Sequence, residues 1–263
     1  MQFNRMVSGR YSYWTMIVVL IIILIINFRT SYWNQENRII RSDTNRYYAH
    51  LPAIFIYQDI TLKFYNDNPG SLGPHAYPEK LPNGNYILMT TYGTALCYLP
   101  FFLIAHVMAP VLSYPADGFS VPYQFAVQIS SWFFLIVGLI YMRKLLKKYF
   151  EDRIVVIVIF ATVIGTNMLW YVTGEAGMSH NYSFSLIAIF LYLMDTWLEQ
   201  PTFRKTIWLG FIIGLITLIR PTNALIGIVL ILWKVKSFHD LKNRFAWFLR
   251  CWYYVLPLLL FAF

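Results

Sequence analysis

Eight consecutive residues, Arg41-Ser42-Asp43-Thr44-Asn45-Arg46-Tyr47-Tyr48, gather a carboxylate, two guanidiniums and two phenols between apolar stretches. A carboxylate in that setting can take a proton from a hydroxyl nucleophile or hold a metal, while arginines meet phosphate through charge-assisted hydrogen bonds. Further polar groups stand far along the chain: Glu175 and His180 in Thr173-Gly174-Glu175-Ala176-Gly177-Met178-Ser179-His180, and Arg220 directly before Pro221. Each also has an ordinary reading. Asp43 and Glu175 can be solvated loop acids, His180 a helix cap, and Arg220 a cation snorkelling to headgroups. Chemistry requires these groups to meet on one face, so the question becomes which elements carry them there.

Hydrophobic residues make up 58% of the chain and charged residues 13%, against about 25% charged in soluble domains. That composition reads as an all-α, polytopic membrane protein, because a helix satisfies its own backbone polar groups and can face lipid. Cys97 and Cys251 lie far apart in apolar runs, which suits buried thiols and neither a disulfide framework nor a metal site. The net charge of +9 has no basic, aromatic surface module to go with it, so nucleic acid is not an expected partner.

Residues 15–28 are almost purely aliphatic, with Tyr11, Tyr13 and Trp14 at their head, and read as a retained first span preceded by Arg5 and Arg10 on the cytosolic side. Nothing at residues 27–30 resembles a signal-peptidase site. Residues 29–122 then form a long extracytosolic loop. Within it, residues 47–64 space their apolar side chains as an amphipathic helix lying on the membrane. Residues 92–112 are apolar enough to span but contain Pro100, His106 and Pro110. The basic run Arg143-Lys144-Leu145-Leu146-Lys147-Lys148 belongs in the cytosol, which leaves room for one crossing before it; residues 123–142 are the cleaner choice. Residues 92–112 are therefore expected to be juxtamembrane or re-entrant, returning to the outer side.

The rest alternates: spans over 154–171, 182–197, 206–219, 224–233 and 245–263, an outer loop at 173–181, an outer turn at 220–223, and cytosolic connections at 199–205 and 234–244. The expectation is one transmembrane module over 1–263 with about seven spans. The whole +9 falls on the cytosolic side of this layout. Asp43, Glu175, His180 and Arg220 all fall on the other.

Four stretches carry a resemblance: Asp43 early in the first outer loop; Tyr92-Gly93-Thr94-Ala95-Leu96 with Leu99-Pro100-Phe101-Phe102-Leu103-Ile104-Ala105-His106; Met178-Ser179-His180-Asn181-Tyr182-Ser183-Phe184; and Ile219-Arg220-Pro221-Thr222-Asn223. Together they resemble bacterial GT-C type membrane glycosyltransferases, of the branch related to protein mannosyltransferases and aminoarabinose transferases. The resemblance implies transfer of a sugar from a polyprenyl-phosphate carrier, usually with inversion, to a glycan, lipid or protein acceptor at the outer face of the bacterial inner membrane. Asp43 matches the family's first acidic residue, a general base or acceptor-orienting carboxylate, and Glu175 its second. Arg41, Arg46, Tyr47, Tyr48, His180 and Arg220 would line the substrate site. The chain departs from the pattern in two places. Asp43 has no adjacent acid, and Thr90-Thr91-Tyr92-Gly93 stands where the family carries a proline pair. Many members are longer, and an end at Phe263 inside an apolar run is expected of a chain whose C-terminal part is missing. No metal cage is visible, although Asp43, Glu175 and His180 could share a divalent cation. The alternatives are a transporter or flippase for a lipid-linked substrate, with the interruption at Arg220-Pro221 as a broken helix, and a non-catalytic membrane assembly subunit.

Overall fold

The computed structural model describes residues 9–250 and Tyr253. Helix α1 (Arg10–Thr30) presents Met16, Val19, Ile23 and Asn27 to its neighbours, a spacing of three or four residues that puts them on one face. They pack on Val155, Ile159 and Val163 of α6 (Asp152–Ile164). The opposite face of α1 leaves Val18, Ile21, Ile25 and Phe28 about half exposed or more. Apolar exposure of that extent marks a surface meant for lipid or another protein. Among the described residues three helices are long and apolar enough to cross a membrane: α1 with its following turn, α4 (Gly93–Val111) and α5 (Val121–Leu146).

The centre of the molecule is the parallel pair α5 and α8 (Ser179–Glu199). Gly138 makes their close approach possible, because a Cβ there would lie 2.7 Å from Ser185 Oγ. Asn181 Nδ2 donates to the carbonyl of Ser131 at 2.7 Å, and the hydroxyls of Ser130 and Tyr182 share a 2.6 Å hydrogen bond. Small residues plus interhelical hydrogen bonds are how helices associate where apolar burial gives no net drive.

Two polar ends result. At one, Arg143 on α5 reaches Ser12 Oγ at 2.7 Å, and Ser12 in turn donates its backbone N–H to Asp152 at 3.0 Å. Asp195, with no exposed side-chain surface, receives Lys148, Tyr149, Lys234 Nζ at 2.8 Å and Trp233 Nε1 at 2.7 Å. At the other end lie the C-terminus of α1, the N-termini of α5 and α8, and the C-terminus of α9 (Phe203–Ile219). Helix α4 is seated at this second end. Thr91 Oγ1 donates to the carbonyl of Ile219 at 3.1 Å, and a Cβ on Gly93 would sit 2.4 Å from the Ile219 nitrogen. Further along, Tyr98 meets Gly177 and Tyr182, and His106 Nδ1 lies 2.6 Å from Tyr123 Oη.

Two sequence expectations are corrected. In place of one amphipathic helix over residues 47–64 there are two short ones, α2 (Ser42–Tyr48) and α3 (His50–Phe55). Beyond them Gln58 and Leu62 take positive φ, and Asp59 captures the backbone N–H groups of Thr61 and Lys63 at 2.8 Å each, which diverts the chain into a short 3-10 turn over Lys63–Asn66. The run 154–171 is interrupted after α6, at Gly165, and resumes as α7 (Met168–Thr173). The connection at 234–244 is largely helical, because α11 (Phe238–Arg250) begins at the Ser237–Asp240 reciprocal cap and runs through residue 244. The last expected span, 245–263, lies outside the described residues beyond Arg250, apart from Tyr253. A small hairpin, β1 (Glu79–Lys80) with β2 (Tyr86–Ile87), closes the loop before α4.

Candidate functional site

Helix α2 carries Asp43 and is anchored from beneath. Tyr48 is 1% exposed, packs on Tyr98 and Phe102, and donates its hydroxyl to the Gly118 carbonyl. Tyr47 is buried as well. The phenols expected at the substrate site are thus packed into the core, while Asp43 and Arg46 stay on the outside. Sequence position alone does not separate these, because α2 turns 100° per residue and buries alternate flanks. Gly177 lies against the buried flank, where a Cβ would stand 2.0 Å from Thr44 Cγ2. That contact presses the loop carrying Glu175 onto the helix carrying Asp43.

Glu175 Oε1 accepts Arg41 Nη2 at 2.7 Å, and Arg38 Nη1 donates to the adjacent Gly174 carbonyl at 3.2 Å. Two cations thus hold this loop in place, and Glu175 and Arg41 are partners to each other rather than free groups. Asp43 is half exposed and meets Arg46 Nη1 at 3.7 Å, one helical turn on. Its place in the first turn of α2 also puts it near the positive end of that helix.

A cleft of about 580 Å³ is walled by Tyr171, His180, Arg220 and Asn223 and floored by Phe184 and Ile187. Arg220 is extended (φ −148°, ψ 119°), as a residue before proline prefers, and Pro221 starts the 3-10 segment Pro221–Ile226 that leads to α10 (Gly227–Leu232). Its Nε donates to Ser179 Oγ at 2.9 Å, and no protein partner meets its terminal nitrogens among the described residues. Asn223 Nδ2 is held on Ser183 Oγ at 3.0 Å. His180, in the first turn of α8 before the apolar run 182–197, stacks on Tyr171 with centroids 4.0 Å apart and planes 2° from parallel. Its buried Nδ1 has no partner among the described residues. Burial, then the Arg220 charge, push the His180 pKa below its ordinary value, while Asp43 pulls it upward.

The cleft walls carry Arg220 and the N-terminus of α8 and no carboxylate, so the electrostatics favour an anion with an apolar appendage. Arg220 offers a planar fork suited to phosphate oxygens. Among the described residues no three His, Cys, Asp or Glu side chains stand close enough together to hold a metal ion. The shared cation considered for Asp43, Glu175 and His180 is thus not supported by their placement: Glu175 is taken by Arg41, and His180 faces Tyr171.

Sequence reading passed over Arg38, Tyr171, Ser179 and Asn223. Ser179 and Asn223 sit inside the stretches that drew attention to His180 and Arg220, so a signal was present; Tyr171 gave none beyond its place at the end of an apolar run. Comparison of the chain with protein-family profiles, curated proteins and solved structures finds no match to any of them.

Proposed function

We propose that this chain is a membrane glycosyltransferase that moves a sugar from a polyprenyl-phosphate carrier to an acceptor hydroxyl at the extracytosolic face. The observation that supports the reading is the cleft at His180 and Arg220, where an arginine whose terminal nitrogens have no protein partner among the described residues stands over an apolar floor, as a lipid-borne phosphate needs. In this reading the apolar helices form about seven spans, α4 is juxtamembrane, and the carrier's phosphate rests on the two free nitrogens of Arg220. The prenyl chain lies along the apolar side of the cleft at Phe184 and Ile187. Both tie points of α4, at Ile219 and at Tyr123, belong to one end of the bundle, which supports the juxtamembrane placement.

The step balances as follows. Asp43 takes the proton of the acceptor hydroxyl while that oxygen attacks the anomeric carbon. The bond from that carbon to the phosphate oxygen breaks, and the electron pair leaves with the polyprenyl phosphate, whose charge Arg220 stabilises. A general base contributes about 10²–10⁴-fold. Asp43→Asn, which keeps size and removes basicity, is therefore expected to lower transfer by at least about a hundredfold. Expression, thermal unfolding and carrier-phosphate binding should stay unchanged. Full transfer activity in a stably folded Asp43→Asn protein would remove Asp43 from the reaction.

A further inference from the structure

A second cleft, of about 530 Å³, lies in the loop region between α1 and α5, and its chemistry is the opposite of that at Arg220. Its walls carry Glu36 and Asp117 and no Lys or Arg. Asp117 spends Oδ1 on the backbone N–H groups of Phe119 and Ser120, both at 2.8 Å, and its other oxygen has no donor among the described residues. Three tyrosines, Tyr57, Tyr65 and Tyr77, supply aromatic surface. Two are fixed: Tyr57 stacks on Phe64 at 4.1 Å, and Tyr65 stands edge-on to Tyr86 at 5.4 Å. Beneath them lie buried polar groups that the fold leaves unused. Ser71 in the wall is 7% exposed and its Oγ has no partner among the described residues; Asn45, fully buried, has none for either side-chain atom. Asn45 sits behind Gly73, where a Cβ would come within 2.8 Å of its Nδ2.

Unpaired buried polar groups are costly, and they collect where a ligand completes their hydrogen bonds. Aromatic faces bounded by acceptor-only carboxylates fit a ring with apolar faces and an equator of hydroxyl or amino donors. A phosphate or other anion would be repelled. Arg46 links this cleft to Asp43, since its guanidinium pairs with Asp43 at 3.7 Å and lies over the Tyr77 ring at 5.6 Å.

We infer that this second cleft binds a saccharide, neutral or amine-bearing, and that it is the acceptor site serving Asp43. The acceptor role rests on the transferase reading; saccharide binding itself does not. The test uses the full chain in detergent micelles and saturation-transfer difference NMR with methyl glycosides of glucose, galactose, mannose and glucosamine. At least one should receive saturation, and its apparent affinity should fall at least tenfold in Tyr77→Ala and in Asp117→Asn, which retains the oxygen that caps Phe119 and Ser120. Arg220→Gln should leave that binding unchanged. Absence of saturation transfer to all four probes, or undiminished binding in both variants, overturns the inference. Glycoside binding in a protein without transferase activity would instead sink the catalytic reading and leave the site standing. Full transfer activity in Tyr77→Ala and Asp117→Asn would leave the transferase reading standing and remove the acceptor role of this cleft.

Discussion

Replacement of Arg220 by glutamine tests the phosphate site most directly. The Nε of Arg220 is committed to Ser179, and its terminal nitrogens face the cleft without a protein partner among the described residues. A hydrogen bond to a charged group is worth about 1.5–3 kcal/mol net, so losing the fork should raise the Kd for a lipid phosphate roughly 10- to 150-fold. Lysine keeps the charge but lacks the planar pair of donors and the Ser179 tether, and should fall in between. Ser179→Ala leaves the guanidinium and removes only what orients it, at a cost of about 1 kcal/mol, or several-fold. The assay is calorimetric titration of the nanodisc-embedded protein with citronellyl phosphate, a short polyprenyl phosphate, at two ionic strengths. Weaker salt dependence in Arg220→Gln should accompany the weaker binding. An unchanged Kd in folded Arg220→Gln refutes the assignment. A hundredfold loss in Arg46→Gln with none in Arg220→Gln would move the phosphate to the other side of Asp43.

Three further outcomes are expected. Asp195→Ala leaves Lys148 and Lys234 with only Glu199 as a carboxylate partner among the described residues and leaves the Tyr149 and Trp233 donors without their acceptor; losing hydrogen bonds to a buried charged group costs about 1.5–3 kcal/mol. Glu199→Gln, at a side chain half exposed, should cost less than about 1 kcal/mol, and thermal unfolding in detergent separates the two. A cysteine in place of His106, in a Cys97→Ser and Cys251→Ser background, should react with an impermeant thiol reagent only from the extracytosolic side or not at all. Labelling from the cytosol would overturn the crossing pattern. His180, with its pKa depressed by burial and by Arg220, binds fewer protons folded than unfolded just below the ordinary imidazole value. Stability should therefore rise with pH through that window and be fully present above it. His180→Gln should flatten this part of the thermal-stability profile, and an unchanged slope would show that His180 does not titrate in this way.

The long apolar runs specify α1, α4 and α5 because one helix satisfies its own backbone and needs no distant partner to be read. Breaks were legible only where the breaking residue acts locally: Arg220 goes extended because Pro221 follows, whereas the end of α3 depends on how Asp59 collects N–H groups beyond it.

From the chain itself came the apolar composition, the helical class, the long polar loop and the positions of Asp43, His180 and Arg220 at the margins of apolar runs. Those are local properties, fixed by hydropathy and by backbone constraints over a few residues. Tertiary packing alone decided that Glu175 belongs to Arg41, that Tyr48 fills the core, that Asp195 gathers four donors, and that one cleft is lined by carboxylates and another by a cation. Each of those outcomes depends on partners many residues apart, and the choice among possible partners is made by which helix faces touch.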